Sequence, residues 1–239
     1  MADEIKIEVK CGYVAFFDIL GYREMTSRQD FTAVVEALKG AQQDAEELLT
    51  RKSISNCDLF TFGDSMIVFC AGDSEDSTLD SALQLPIYCR KLFTQMFNRG
   101  MPIRGAIAKG EFYFKGNSYA GQPLNEAYEY ANNLEFAGCV LTPSAEDLVT
   151  ENLEADPSST VLRVGPPNFK KVSVPIKSQG KQTLYVLTQR IKPTRERVLK
   201  AFQRHGKIVT PAVLPKLNNT IEVLGEVYDP VKIPMRPKK

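Results

Sequence analysis

The amino-acid sequence predicts an α+β fold. Two observations lead to this prediction. Short apolar runs bounded by turn residues alternate with longer segments in which apolar residues recur at helical spacing. The order along the chain is strand, helix, hairpin, helix, then paired strands and a further helix, which is typical of α+β domains. Periodicity alone does not distinguish this sheet from the sheets of other α/β proteins.

The length and composition suit one domain with an extension, or two small domains. The chain has 239 residues, of which 43% are hydrophobic, and its net charge is +1. We expect one domain over residues 1–190 and an extension over 191–239, with a basic helix and a proline-rich remainder. The balanced charge gives no case for a nucleic acid polymer or a membrane as partner. Because the N-terminus is charged and lacks a signal-peptide core, we expect a cytoplasmic protein.

The first element is an apolar run over residues 13–17 that continues into Asp18 and ends at Gly21. A short apolar run with a turn signal at its end is typical of a buried strand. An aspartate at such a strand end is seldom buried unless it is paired or holds a metal. Asp18 is therefore either a metal ligand or the N-cap of the next helix, and this stretch alone does not favour one over the other.

The second notable element is a hairpin over residues 58–70. Gly63 and Asp64 have the chemistry of a tight turn, because glycine supplies the positive φ that such turns need. Asp64 is either a turn residue only or a second carboxylate beside Asp18. Two carboxylates at the ends of apolar strands suit Mg²⁺ or Mn²⁺, which take oxygen ligands and complete their shell with phosphate oxygens.

The remaining elements follow from periodicity and turn residues. Helices are predicted over 30–51 with Asp30 as N-cap, over 78–98 with a kink or break at Pro86, from Pro123 to about Phe136, and over 194–204. A flexible loop is predicted over 71–77. Strands are predicted over 101–110, 111–114, 140–142 and 183–187, with short strands broken by prolines over 156–175 and an extended chain after the last helix.

The cysteines and the single histidine are not predicted to bind a metal or to act in catalysis. The five cysteines are odd in number and form no Cys-x-x-Cys pair, so we expect all of them to be reduced and no zinc site. They are Cys11, Cys57, Cys70, Cys89 and Cys139. His205 has no ligand partner nearby in sequence and is expected at a helix end or on the surface.

Five segments in a fixed order resemble the motifs of class III nucleotidyl cyclases. Phe-Asp-Ile-Leu-Gly-Tyr at 17–22 and Phe-Gly-Asp-Ser-Met at 62–66 are similar to that family's two metal motifs. Residues 103–110, 121–127 and 180–186 are similar to its later strands and its Gly-x-x-x-Asn-x-Ala helix start. The matches span roughly 13–187. The resemblance implies a mixed sheet with a ferredoxin-like palm core and with helices packed on one face.

The resemblance also implies a reaction. Class III cyclases convert a nucleoside triphosphate into a 3′,5′-cyclic monophosphate and pyrophosphate with two divalent cations, Mn²⁺ or Mg²⁺. In this sequence the implied metal ligands are Asp18, Asp64 and the carbonyl of Ile19, and Asn125 would orient the ribose. Backbone amides would face the β- and γ-phosphates at a helix start, namely those of Ile19, Leu20, Gly21 and Tyr22. The family pattern is a homodimer with two sites across the interface.

Some positions depart from the family pattern or stay open. The arginine that commonly stabilises the pentavalent phosphate is replaced by Glu129; Arg104, Lys177 and Lys181 are candidate substitutes, or solvated charges only. Phe16 lies on the strand face of Asp18 and either forms the floor of the pocket or belongs to the core.

The base-reading pair of the purine cyclases is also replaced. Phe60 and Ser118 stand where those enzymes have charged residues, and a bulky ring favours a smaller base. This combination resembles the bacterial pyrimidine cyclases of Pycsar antiphage systems, whose cyclic UMP or cyclic CMP activates a separate effector. We expect UTP as substrate, with Arg104 either donating to a uracil carbonyl or forming a structural salt bridge.

Three alternatives to a uridylate cyclase are considered. The first is a cytidylate cyclase. The second is a catalytically silent cyclase-like module that binds a nucleotide or partner, which the loss of the expected arginine favours and the two aspartates oppose. The third is another palm-type two-metal enzyme such as a diguanylate cyclase, against which the missing Gly-Gly-Asp/Glu-Glu-Phe signature counts.

Overall fold

The computed structural model describes residues 8–28, 31–51, 57–72, 75–116, 118–149, 168–190 and 192–228. The strands are β1 Lys10–Ile19, β2 Cys57–Phe62, β3 Ser65–Gly72, β4 Ile103–Lys115, β5 Ser118–Gly121, β6 Gly138–Leu141, β7 Phe169–Ile176 and β8 Gly180–Leu187. The helices are α1 Tyr22–Arg28, α2 Phe31–Arg51, α3 Glu75–Asn98, α4 Gln122–Asn133, α5 Arg195–Gln203 and α6 Leu214–Val227, with a 3₁₀ turn at Pro143–Ala145.

The strands form one mixed sheet in the order β2-β3-β1-β4-β6-β8-β7, with β5 paired to β4. The β4–β6 pair is parallel, and the other pairs are antiparallel. In β1, residues 13–17 are all buried, which confirms the buried strand predicted from their apolar run. At the end of β1, Asp18 lies opposite Ser65 on one side and Arg104 on the other.

Helices cover β1 on both of its faces. Phe16 contacts Tyr128 of α4 edge to face, with ring centroids 5.2 Å apart. On the opposite face, Cys139 of β6 lies on the same side of the sheet as Phe17. Cys89 of α3 lies near Cys139: burial raises the pKa of the Cys89 thiol, and Cys139 adds to this rise. The expectation of helices on a single face is therefore wrong for α4, because β1 is apolar on both faces and needs cover on each.

Two predicted boundaries in the middle of the chain are wrong. A single strand, β4, replaces the two strands predicted over 101–114. Helix α3 begins at Glu75, inside the predicted loop, and continues past Pro86 without a break. Leu85 and Tyr88, near the proline, are almost fully buried, so their packing offsets the backbone hydrogen bond that proline cannot make.

The C-terminal part contains one helix that was predicted and one that was missed. Helix α5 confirms the predicted basic helix, and Thr194 caps it by accepting a hydrogen bond from the Arg197 amide at 3.3 Å. Residues 214–227 are not extended: they form α6, with Pro215 in its first turn, where proline is tolerated. Its buried side chains are Leu217, Thr220, Val223, Leu224 and Val227. The predicted division of the chain at residue 190 stays a prediction.

One pair of cysteines is bonded, although all five were expected to be reduced. Cys57 and Cys70 are cross-strand partners in the β2–β3 hairpin and form a disulfide, so the prediction of five reduced cysteines is wrong for these two. Cys89 and Cys139 are buried thiols and Cys11 is an exposed one. Asp30 as N-cap and the strands predicted over 156–167 lie outside the described residues. Among those residues, no helix has the length and apolar character that crossing a membrane requires.

Candidate active site

The site is organised around Asp18, at the exit of β1. Its side chain is 16% exposed and pairs with Arg104, which lies directly across the β1–β4 ladder. Arg104 Nε and Nη2 both donate to Asp18 Oδ2, at 3.0 and 2.9 Å. The two strands therefore hold the carboxylate in one orientation at the edge of the sheet.

Arg104 makes three further hydrogen bonds to the end of α4. Nη1 donates to the carbonyls of Asn132 and Leu134 at 2.8 and 3.3 Å, and Nη2 donates to Asn132 Oδ1 at 3.0 Å. A guanidinium has five N–H groups, and each has an acceptor in this arrangement. Arg104 thus forms a salt bridge that ties β1 and β4 to α4, and donating to a base would require it to give up one of these bonds.

Asp64 reaches the same edge of the sheet from the β2–β3 turn. Gly63 before it has φ +59°, and the Asp64 carbonyl accepts a hydrogen bond from the Ile19 amide at 3.1 Å. The turn is therefore docked on the exit of β1. Burial raises the pKa of Asp18; Arg104 opposes this rise, and the nearby Asp64 carboxyl adds to it. The structure thus brings together the two carboxylates that the sequence singled out.

This pair of carboxylates fits a divalent cation. The Asp64 carboxyl helps to raise the pKa of Asp18, and a bound cation would relieve the repulsion between the two groups. Two carboxylates and the neighbouring carbonyl of Ile19 are oxygen donors of the kind that Mg²⁺ and Mn²⁺ prefer, with the remaining positions left to water or phosphate. Within the described part of the chain, no cluster of three or more Asp, Glu, His or Cys side chains could hold a metal.

The loop after Asp18 corrects one expectation about backbone amides. The Ile19 amide donates to the Asp64 carbonyl, and the Leu20 amide donates to the Pro102 carbonyl at 2.9 Å. These two amides therefore serve the fold, and of the four expected to face phosphates only those of Gly21 and Tyr22 remain as candidates. Gly21 has φ +79°, a conformation that side chains other than glycine rarely adopt.

Phe16 and Phe60 lie on the same side of the sheet as Asp18, as the register through Ile67 shows. Phe16 is 5% exposed and packs beneath α4, which is the position of a core residue. Phe60 is half-buried, and its ring centroid lies 4.8 Å from that of Tyr119. Ser118, beside Tyr119 in β5, is exposed.

The other predicted site residues lie on α4, in the β7–β8 turn and on β8. Asn125 and Glu129 are exposed and lie one turn apart on α4. Lys177 is exposed in the β7–β8 turn, where its backbone amide donates to the Asn133 carbonyl at 2.8 Å. It lines a cavity of ≈500 Å³ together with Arg104. Lys181, in contrast, pairs with Glu222 of α6, Nζ to Oε1 2.8 Å.

Sequence reasoning missed the contribution of the C-terminal residues to this region. A cavity of ≈210 Å³ beside Asp18 is lined by Gly21 and Arg104, and also by Lys207 and Lys216. Neither lysine belongs to a recognisable motif. A basic helix was predicted over residues 194–204, but nothing local indicated that the chain beyond it returns to Asp18.

No protein-family model matches the sequence, and no curated protein matches it. The fold, however, is similar to solved cyclase domains. The catalytic core of a rhodopsin-guanylyl cyclase with converted specificity, in complex with ATPαS, has a TM-score of 0.54 at 15% identity and covers 78% of this chain and 100% of its own. The adenylyl cyclase CyaB from P. aeruginosa has a TM-score of 0.52 at 18% identity and covers 78% of this chain and 98% of its own.

A third structure agrees with these two. The monomeric guanylyl cyclase domain of the RhoGC fusion protein from the aquatic fungus Blastocladiella emersonii has a TM-score of 0.55 at 13% identity, covering 78% of this chain and 99% of its own. The fold is that of class III cyclase catalytic domains, which confirms the predicted fold class. The three domains match almost completely and leave about a fifth of this chain unmatched.

Proposed function

We propose that this protein is a nucleotide cyclase that converts UTP into 3′,5′-cyclic UMP and pyrophosphate. The observation that carries the proposal is the convergence of Asp18 and Asp64 at the end of β1, in a fold shared with adenylyl and guanylyl cyclase domains. The complex of one such domain with ATPαS supports a nucleoside triphosphate as the class of substrate.

Asp18, Asp64 and the carbonyl of Ile19 are the residues that would hold two divalent cations, Mn²⁺ or Mg²⁺. Bound there, the cations would lower the pKa of the ribose 3′-hydroxyl and neutralise charge on the phosphates. The two hydrogen bonds that Arg104 donates to Asp18 both go to Oδ2, so the carboxylate would be held in a fixed orientation toward the cations. Arg104 then acts as a positioning residue that presents Asp18.

The reaction forms the bond between O3′ and the α-phosphorus and breaks the bond between that phosphorus and the oxygen that bridges to the β-phosphate. Pyrophosphate leaves, and the proton of the 3′-hydroxyl passes to water. Asn125 would orient the ribose, and the amides of Gly21 and Tyr22 would face the leaving phosphates. Positioning and electrostatics carry most of the catalysis in such in-line transfers.

The negative charge that develops on the phosphate needs a basic side chain beside it. Because Glu129 occupies the family arginine position, another residue must supply that side chain. Arg104 has an acceptor for each of its five N–H groups, and Lys181 is paired with Glu222. Lys177 is exposed and lines the same cavity as Arg104. Of the three candidates, we therefore assign this role to Lys177.

The preference for a pyrimidine rests on the surroundings of Phe60. Its ring packs against Tyr119, next to Ser118, so the region offers aromatic surface and a hydroxyl in place of two charges. A neutral, narrow site suits a single ring better than a purine. The likeness to Pycsar pyrimidine cyclases extends the proposal to a cytoplasmic second messenger of antiphage defence that acts on a separate effector.

The proposed assembly is a homodimer with both sites at the interface. A RhoGC guanylyl cyclase domain has been solved as a non-canonical dimer, which supports association of two copies as an ability of this fold. The second candidate function is a catalytically silent cyclase-like module. Glu129 on α4, in place of an arginine, is the observation that favours it.

The deciding experiment gives the purified protein Mn²⁺ and the four ribonucleoside triphosphates at equal concentration, with products identified by mass spectrometry. Cyclic UMP as the main product supports the proposal, and cyclic CMP changes only the choice of pyrimidine. Cyclic AMP or cyclic GMP as the main product contradicts the pyrimidine preference. Nucleotide binding without any cyclic product favours the silent module.

A further inference from the structure

A short C-terminal segment, residues 204–207, caps the end of helix α3. The last carbonyls of a helix lack partners within it, and cations are favourable there. The three consecutive carbonyls of residues 98–100 each accept a hydrogen bond from this capping segment. The donors are Arg204 Nη1 at 3.1 Å, His205 Nε2 at 2.7 Å and Lys207 Nζ at 2.6 Å.

Lys207 differs from the other two donors because it also reaches the loop after Asp18. The residue is 7% exposed, and its Nζ donates a hydrogen bond to the Gly100 carbonyl. A Cβ added at Gly21 would lie 2.8 Å from Lys207 Cδ, so the lysine stem rests directly on the glycine. Arg204, by contrast, packs on Gly100.

Lys207 therefore provides a third restraint on this loop. The amide of Ile19 is bonded to Asp64 and that of Leu20 to Pro102. Both bonds precede Gly21, at which the chain turns with φ +79°. The stem of Lys207 closes over that glycine and forms a wall of the cavity of ≈210 Å³ that Asp18 also lines.

We propose that Lys207 is a positioning residue for the phosphate end of the site. Its Nζ is anchored on the end of α3, and its stem holds Gly21 where the leaving phosphates are bound. The inference rests on the proposed function only for the identity of the ligand. It makes the C-terminal segment a working part of the site, although no motif of the catalytic core includes it.

The test compares Lys207→Met with Arg204→Met in the full-length protein. Each variant loses one hydrogen bond to the end of α3, but only the first disturbs the anchored stem on Gly21. Hydrogen–deuterium exchange of a peptide that covers residues 19–22 is expected to speed up in Lys207→Met and to stay at the wild-type rate in Arg204→Met. This readout does not depend on catalysis. If Lys207→Met does not fold, Lys207→Gln, which keeps a donor, takes its place.

The kinetic arm measures the KM for the preferred triphosphate. We expect it to rise about tenfold or more in Lys207→Met, since a small displacement of a positioning group costs up to about 100-fold, and to be unchanged in Arg204→Met. Equal exchange in the two variants, or an unchanged KM in active Lys207→Met enzyme, overturns the proposal. If the wild type converts no nucleotide, the proposed function fails, and the exchange result alone decides whether Lys207 holds Gly21.

Discussion

Arg104 donates two hydrogen bonds to a single oxygen of Asp18, Oδ2. The two residues are 86 positions apart and face each other across the β1–β4 ladder. The rest of the guanidinium is bonded to the end of α4. The orientation of the central carboxylate therefore depends on how α4 packs against the sheet.

Arg104→Met should lower the free energy of unfolding by about 1.5–3 kcal/mol, because it leaves Asp18 without its charged hydrogen-bond partner in a mostly buried place. Arg104→Lys should recover only part of this loss, since an ammonium cannot form the forked contact. Urea denaturation measures both. Lys115→Met, an exposed change in the same strand, is the control, and a loss there as large as in Arg104→Met would contradict the assignment.

Asp64→Asn should reduce turnover by more than about 100-fold, because even partners that only orient metal ligands are worth 10–100-fold. The change keeps the shape of the side chain and leaves the Arg104 pair intact, so the fold should persist. The measurement is product formation with Mn²⁺, together with the rise in melting temperature that Mn²⁺ produces. The exposed Asp58→Asn on β2 should behave like the wild type. Near-normal turnover in Asp64→Asn would rule out the two-carboxylate site.

Mixing two inactive variants tests whether sites form between chains. If the ribose contact comes from the partner copy, Asp64→Ala mixed with Asn125→Ala should regain activity, because some heterodimers carry one intact site. Subunit exchange is followed independently with differently tagged chains. Exchange without recovery would show that each chain has a complete site of its own.

Phe60→Ala should weaken the proposed preference for pyrimidine over purine triphosphates by about tenfold or more, since a site that loses an aromatic wall discriminates ring size less well. Competition among the four triphosphates measures the product ratio. Phe62→Ala is the matched control, because Phe62 is two residues along the same strand and is 74% exposed. An equal change in both variants would argue against a base-reading role for Phe60.

The pH dependence of stability should report on Lys207. Burial lowers the pKa of Lys207 to about 7, with Glu24 opposing the shift, whereas an unfolded lysine titrates near 10.4. Between these values the unfolded chain binds more protons, so this residue makes the free energy of unfolding rise with pH, by at most about 1.4 kcal/mol per unit. Urea titrations from pH 7 to 9 should show a steeper rise in the wild type than in Lys207→Met. Equal slopes would mean that Lys207 titrates normally in the folded protein.

The parts of the site that could be predicted are those marked by the residues next to them in the sequence. Asp18 ends an apolar run, and Asp64 follows a glycine in a tight turn, so each could be placed without knowledge of the rest of the chain. The partner of Arg104 and the Cys57–Cys70 bridge depend on strand register, which periodicity does not specify. For the same reason, the engagement of the Ile19 and Leu20 amides could not be foreseen.

The C-terminal helix was missed for a different reason. Prolines between 211 and 237 indicated extended chain, but Pro215 falls in the first turn of α6, where its missing N–H costs nothing. The apolar residues Leu217, Ile221 and Leu224 carry helical spacing, and this was the usable signal. That Lys207 contacts Gly21 had no local signal at all, since the contact joins residues from the two ends of the described chain.

The position of β1 bears on how the protein is made. Among the described strands β1 is synthesised before the others, yet it lies between β3 and β4. Asp18 therefore gains its strand neighbours only after Ser65 and then Arg104 have been made. The loop at Gly21 lacks its contact with the Lys207 stem until residue 207 has been synthesised. Contacts between residues this distant in sequence form slowly, because closing a long loop costs entropy first. A nascent chain that stops before Lys207 therefore lacks the contact on Gly21, and the cavity beside Asp18 is complete only once residues 207–216 have been made.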